Sequence, residues 1–172
     1  MSRTIAYILL FLSTAVLQLC LFDNLWVSVY LDPLVYVIFI ALLPLDLPAV
    51  ALLGLGGGVG VAMDFMMGAA GLNTIATLLV AFVRPGLLRV LYRREDLRDG
   101  GIPSPERLGR GVFLDYLVIL ILLHHTVFFA LESLSWVHAL RTALRIVTSS
   151  AVTVFFTWAF ARIFTSKLLA RS

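Results

Sequence analysis

The sequence predicts an all-α integral membrane protein: a bundle of six transmembrane helices, the second of them short or broken. Three observations predict it. The chain is 61% hydrophobic and only 13% charged, with mean hydropathy +1.02, whereas soluble domains carry about 25% charged residues. Apolar runs cover 4–22, 33–45, 49–67, 72–91, 112–131 and 142–164, each bounded by charge or by Pro/Gly punctuation. Of 13 basic residues 12 are arginine, and most flank an apolar run, as membrane topology demands. The 172 residues leave room for a single transmembrane domain and no sizeable soluble one. Nucleic-acid binding is excluded on the same ground, because it needs a basic face on a folded module.

The first run follows Arg3 and imitates a secretory signal. It is long for one, and Cys20-Leu21-Phe22-Asp23 is too bulky for a cleavage site, so it is expected to be retained as a span. A lone Cys20 within it is a small apolar filler. The second run opens on Asp32-Pro33, where the carboxylate is expected to cap a helix, and meets Pro44 eleven residues later. Eleven helical residues rise about 16 Å, half the hydrocarbon thickness.

The third run carries Gly54-Leu55-Gly56-Gly57-Gly58-Val59-Gly60 and ends near Asp64, its one charge. A phosphate-binding loop is disfavoured, since it needs a preceding strand and a wet pocket. Gly68-Ala69-Ala70-Gly71 then makes a tight turn into the fourth run, which contains Arg84-Pro85 near its end. That arginine is expected to snorkel to lipid phosphates beside a proline kink. Residues 92–111 form a loop with Gly100-Gly101-Ile102-Pro103-Ser104-Pro105 as its non-helical part. Its arginines, with Arg89, make a basic patch of Arg89, Arg93, Arg94, Arg98, Arg107 and Arg110. The positive-inside rule places it, and with six crossings both termini, in the cytoplasm. If the second run does not cross, only Arg3 changes side. With six crossings the links 23–32, 68–71 and 132–141 lie outside.

The candidate site begins with Gly56-x-x-x-Gly60-x-x-x-Asp64, which lies on one helix face. Glycines allow close approach of another helix, and a charge in hydrocarbon costs at least about 2.5–3.5 kcal/mol unless paired or wetted. Arg145 sits at matching depth on the last helix and is the expected partner of Asp64. Asn73, His125 and Arg141 complete an outer polar cluster, in which Asn73 is expected to cap backbone groups or bond Asp64. The bland reading, an ion pair that holds the bundle together, stands beside a proton or substrate relay. His124, His125, Glu132 and His138 offer metal-ligand types. Adjacent histidines on a helix point about 100° apart, however, so no metal is expected. Ser149 and Ser150 lie mid-span with too few titratable neighbours for nucleophilic catalysis, and no catalytic residue or cofactor is assigned.

Leu17-Gln18, Asp32-Pro33-Leu34-Val35-Tyr36, Leu43-Pro44, Gly56 to Asp64, Gly71-Leu72-Asn73 and Arg84-Pro85 together resemble the rod shape-determining protein MreD family, in particular its Bacteroidota branch. The resemblance covers essentially the whole chain. It implies a bacterial inner-membrane protein without a reaction of its own, which binds an MreC-like single-span partner and links cytoplasmic MreB filaments to the glycosyltransferase and transpeptidase of wall elongation. It also implies a fold similar to the substrate-binding subunits of energy-coupling-factor vitamin transporters. A transporter subunit with a pocket lined by Asp64, Asn73, His125 and Arg145 is therefore the alternative. Besides membrane lipids, the expected contact is the partner's transmembrane helix in the Gly56/Gly60 groove, with Asp64, Arg141 and Arg145 at its rim.

Overall fold

A computed structural model describes residues 3–22, 31–92, 97, 100–133 and 139–169. Among the described residues every regular element is helical. They are α1 (Arg3–Leu17), prolonged by a π-helical turn over Gln18–Phe22, then α2 (Val37–Ala41), α3 (Ala49–Met67), α4 (Leu72–Leu91), α5 (Pro105–Leu108), α6 (Arg110–Ser133) and α7 (Ala139–Leu169). Among the described residues four stretches are long and apolar enough to cross a bilayer: α3, α4, α6 and Ala139–Ile163 within α7. The chain is an all-α membrane protein. Its first run yields a shorter apolar helix, Thr4–Cys20.

The second run departs furthest from a regular span. Only five of its residues are helical, a rise of about 7.5 Å against a hydrocarbon core of about 30 Å. Prolines bracket it: Pro33 biases Asp32 away from helical backbone, and Pro44 closes the helix from the other side. Asp32 therefore does not cap α2, which starts five residues later behind Tyr36 with no side-chain cap. Residues 34 to 43 are each at most 6% exposed. The bundle encloses residues 34 to 43, and burial in protein is a circumstance in which irregular backbone is tolerated at membrane depth.

Around it α3 packs along α4, α4 along α6 and α6 along α7, while α2 touches α1, α4 and α6. The α3–α4 turn uses left-handed backbone at Gly68 (φ 67°), Ala70 (φ 48°) and Gly71 (φ 94°), where glycine costs nothing. The Gly56/Gly60 groove is filled from within the chain. A Cβ on Gly60 would lie 2.5 Å from the Thr74 Cα and against the Thr77 hydroxyl, and one on Gly56 would lie 2.8 Å from the Ala81 Cβ. The expectation that a partner's helix uses this groove is corrected accordingly: α4 already occupies it. Gly54 and Gly58, on the other side of α3, have nothing within 4 Å of a Cβ position.

In the basic loop, Ser104 caps the short α5 by accepting from the Arg107 backbone N–H at 3.2 Å, with Pro105 at the first helical position. The loop meets the buried segment where the Leu45 N–H donates to the Gly101 carbonyl at 2.8 Å. Arg89, Arg107 and Arg110 are exposed, while Arg93, Arg94 and Arg98, like His138, lie outside the described residues.

Candidate functional site

A buried, mostly non-helical backbone segment exposes peptide groups that no helix ladder satisfies, and they need partners from elsewhere in the bundle. At the end of the segment nearest Asp64, the Asp32 N–H donates to the Ser149 hydroxyl at 2.9 Å, the Leu34 N–H to His125 Nε2 at 3.2 Å and the Val35 N–H to Gln18 Oε1 at 2.7 Å. At the opposite end the carbonyls are served. Tyr116 donates its hydroxyl to the Ala41 carbonyl at 2.8 Å, Tyr7 donates to that of Leu42 at 3.2 Å, and Arg84 donates to those of Leu43 and Pro44. Five separate elements thus contribute polar side chains to one stretch of main chain.

This arrangement relocates Arg84. Instead of reaching lipid phosphates it is 2% exposed, with Nε donating to the Tyr116 hydroxyl at 2.9 Å. Its charge faces the carbonyl end of α2, where the helix dipole is negative. Tyr92, just past α4, donates to the Val112 carbonyl at 3.2 Å. Burial, then Tyr116 and Asp115, raise its phenol above the ordinary value.

His125 has a fixed neutral role. Because Leu34 N–H donates to Nε2, the proton sits on Nδ1 and is donated to the Ile121 carbonyl at 2.9 Å; the Thr153 hydroxyl adds a contact to Nε2 at 3.3 Å. Both nitrogens are engaged, which removes His125 from any relay with Asp64. Its neighbour His124 meets the Tyr36 hydroxyl through Nε2 at 3.0 Å, and Tyr36 donates to Asn73 Oδ1 at 2.7 Å. His124 therefore carries its proton on Nε2. Its Nδ1 is buried without a partner among the described residues, as are Gln18 Nε2, Ser150 Oγ and Arg145 Nε.

Asp64 and Arg145 are not paired, contrary to the sequence expectation. The Asp64 carboxylate accepts the backbone N–H groups of Asn73 at 2.9 Å and Thr74 at 3.0 Å, and the Thr74 hydroxyl at 2.5 Å. These are the second and third residues of α4, whose own cap position is Gly71 and offers no oxygen. Asp64 supplies the missing cap from the preceding helix, and the positive end of the α4 dipole stands where an arginine was expected. Asn73 does bond Asp64, but through its main chain, leaving its side chain for Tyr36. Arg145 binds Asp32 at 2.9 Å and Glu132 at 2.6 Å, and stacks over Phe129 with 4.5 Å to the ring centroid. Arg141 is exposed one turn earlier on α7.

The outer polar cluster is thus two clusters, Asp64–Asn73–Tyr36–His124 and Asp32–Arg145–Glu132. Gln18, Tyr36, Arg84, Tyr116 and Ser149 act in the site although composition alone marks none of them. The available signal was a span too short to cross, coupled with isolated polar residues in every other run. Among the described residues, no three His, Cys, Asp or Glu side chains gather as metal ligands. No protein-family model, curated protein or solved structure matches this chain.

Proposed function

We propose that the protein is a non-catalytic inner-membrane scaffold of the bacterial cell-wall elongation complex, of the MreD kind. In this reading it binds an MreC-like partner and links MreB filaments to peptidoglycan synthesis. One observation carries the proposal: the residues on which the resemblance rests meet one another. Gln18 holds Val35, Tyr36 holds Asn73, Asn73 and Thr74 hold Asp64, and Arg84 holds Leu43 and Pro44. A set of short sequence elements with no chemistry in common acquires one physical purpose, fixing a buried segment in a small bundle. A rigid bundle of that sort suits a protein whose task is to present surfaces to neighbours.

A transporter subunit is the second reading, favoured by the four buried polar atoms that lack protein partners. Against it, Asp64, Asn73, His125 and Arg145 are engaged with the protein's own groups and do not converge on a common space.

Depletion in the native host separates the two. Rounding and bulging of cells is the expected result for the scaffold. Retained rod shape with a growth requirement for a vitamin would overturn it in favour of transport.

A further inference from the structure

A cleft of about 340 Å³ opens at the Arg84 end of the bundle, at the small end of the range for ligand pockets. Leu45, Leu47, Ala49, Pro85 and Leu88 line it, and Arg89 is the charged side chain among its walls. Arg84 and Arg89 share one helix and differ in use. Arg84 is spent on carbonyls and a tyrosine hydroxyl, whereas exposed Arg89 has no hydrogen bond or ion pair among the described residues. The nearby Asp46 carboxyl packs over Gly100.

The depth of the cleft follows from α4 itself. Its 20 residues rise about 30 Å, the thickness of the hydrocarbon core. Arg89 lies two residues from the end, which puts it at headgroup level once α4 crosses a bilayer, with Pro85 and Leu88 deeper on the same helix. A peptide occupant would bring main-chain groups that these walls cannot satisfy, while a hydrocarbon chain brings none. We propose that this cleft is a binding site for an anionic phospholipid of the adjoining leaflet, with an acyl chain against Leu45, Leu47, Pro85 and Leu88 and the phosphate on Arg89. The site requires only that the protein lies in a membrane, and it stands or falls apart from the scaffold reading.

The test uses the full chain, purified and delipidated in detergent, then titrated with phosphatidylglycerol or phosphatidylcholine and read by native mass spectrometry. One phosphatidylglycerol should be retained in preference to phosphatidylcholine. Arg89→Glu should weaken that retention roughly tenfold, a little more than the loss of one juxtamembrane cation, and Arg89→Lys should preserve it. Ala49→Trp fills the cleft without changing charge and should also release the lipid, at an unchanged melting temperature. Arg110→Glu, an equal charge change on another helix, should leave retention intact. Equal losses for Arg89→Glu and Arg110→Glu would reduce the site to diffuse surface attraction, and full retention in Ala49→Trp would overturn the cleft.

Discussion

The α3–α4 pair and the buried segment at residues 31–45 are neighbours held by opposite means. Between α3 and α4 the chain is joined by what is missing: glycines at 56 and 60 let Thr77, Ala81 and the Thr74 backbone come within contact distance. Around 31–45 it is joined by what is present, with polar side chains from the surrounding helices bonded to its main-chain N–H and C=O groups. Regular helices satisfy all but their terminal backbone groups, so close packing joins α3 to α4 along their length and the Asp64 cap joins them at one end. A broken helix cannot, and its position must be written into the surrounding helices one hydrogen bond at a time.

The largest effect should come from forcing a side chain into the close approach. Gly60→Leu is expected to abolish recovery of folded protein, because Thr74 and Thr77 occupy the space, whereas Gly58→Leu should be recovered normally; size-exclusion profiles of the two variants decide it. Failure of Gly60→Leu would therefore be an internal packing defect and would say nothing about a docking partner. Next comes Arg84→Met, which leaves the Leu43 and Pro44 carbonyls unpaired and takes from the Tyr116 hydroxyl the bond it accepts, at a cost of about 3 kcal/mol or more. Thermal unfolding in detergent should show it, and a neutral result would mean that the segment is held by packing alone.

His125→Phe preserves ring volume but orphans the Leu34 N–H, and is expected to cost about 2 kcal/mol in the same assay. Asp64→Ala removes the borrowed cap of α4 for about 1–2 kcal/mol, with Asp64→Asn intermediate because one oxygen remains. The smallest effect belongs to Arg145→Gln. Its side chain and those of Asp32 and Glu132 are 25–37% exposed, so screening limits the loss to below about 1 kcal/mol, shrinking further as salt is added. A larger, salt-independent loss would show that this trio belongs with the buried latches.

Spans were legible wherever a run was long and uninterrupted, as at 49–67 and 72–91, which match α3 and α4 residue for residue. The second run was legible as short or broken, because two prolines stand only eleven residues apart, and only five of its residues are helical. Pairing was not. Equal depth suggested Asp64 with Arg145, but depth along a helix says nothing about azimuth, and a carboxylate accepts backbone N–H groups as readily as a guanidinium. Arg84 was misplaced for a related reason. An arginine near a helix end snorkels only if nothing inside needs its donors, and here the carbonyl end of α2 needed them.

The bond from Asp32 to Ser149 spans 117 positions of the chain, and the one from Leu34 to His125 spans 91. Residues 31–45 leave the ribosome long before the groups that complete them. During synthesis this stretch must wait at the insertion machinery or in the interface, and it can settle only once α6 and α7 have arrived. Assembly of the protein is governed from its C-terminal half, and a nascent chain stalled before α7 would expose in its first third the backbone that a membrane tolerates least.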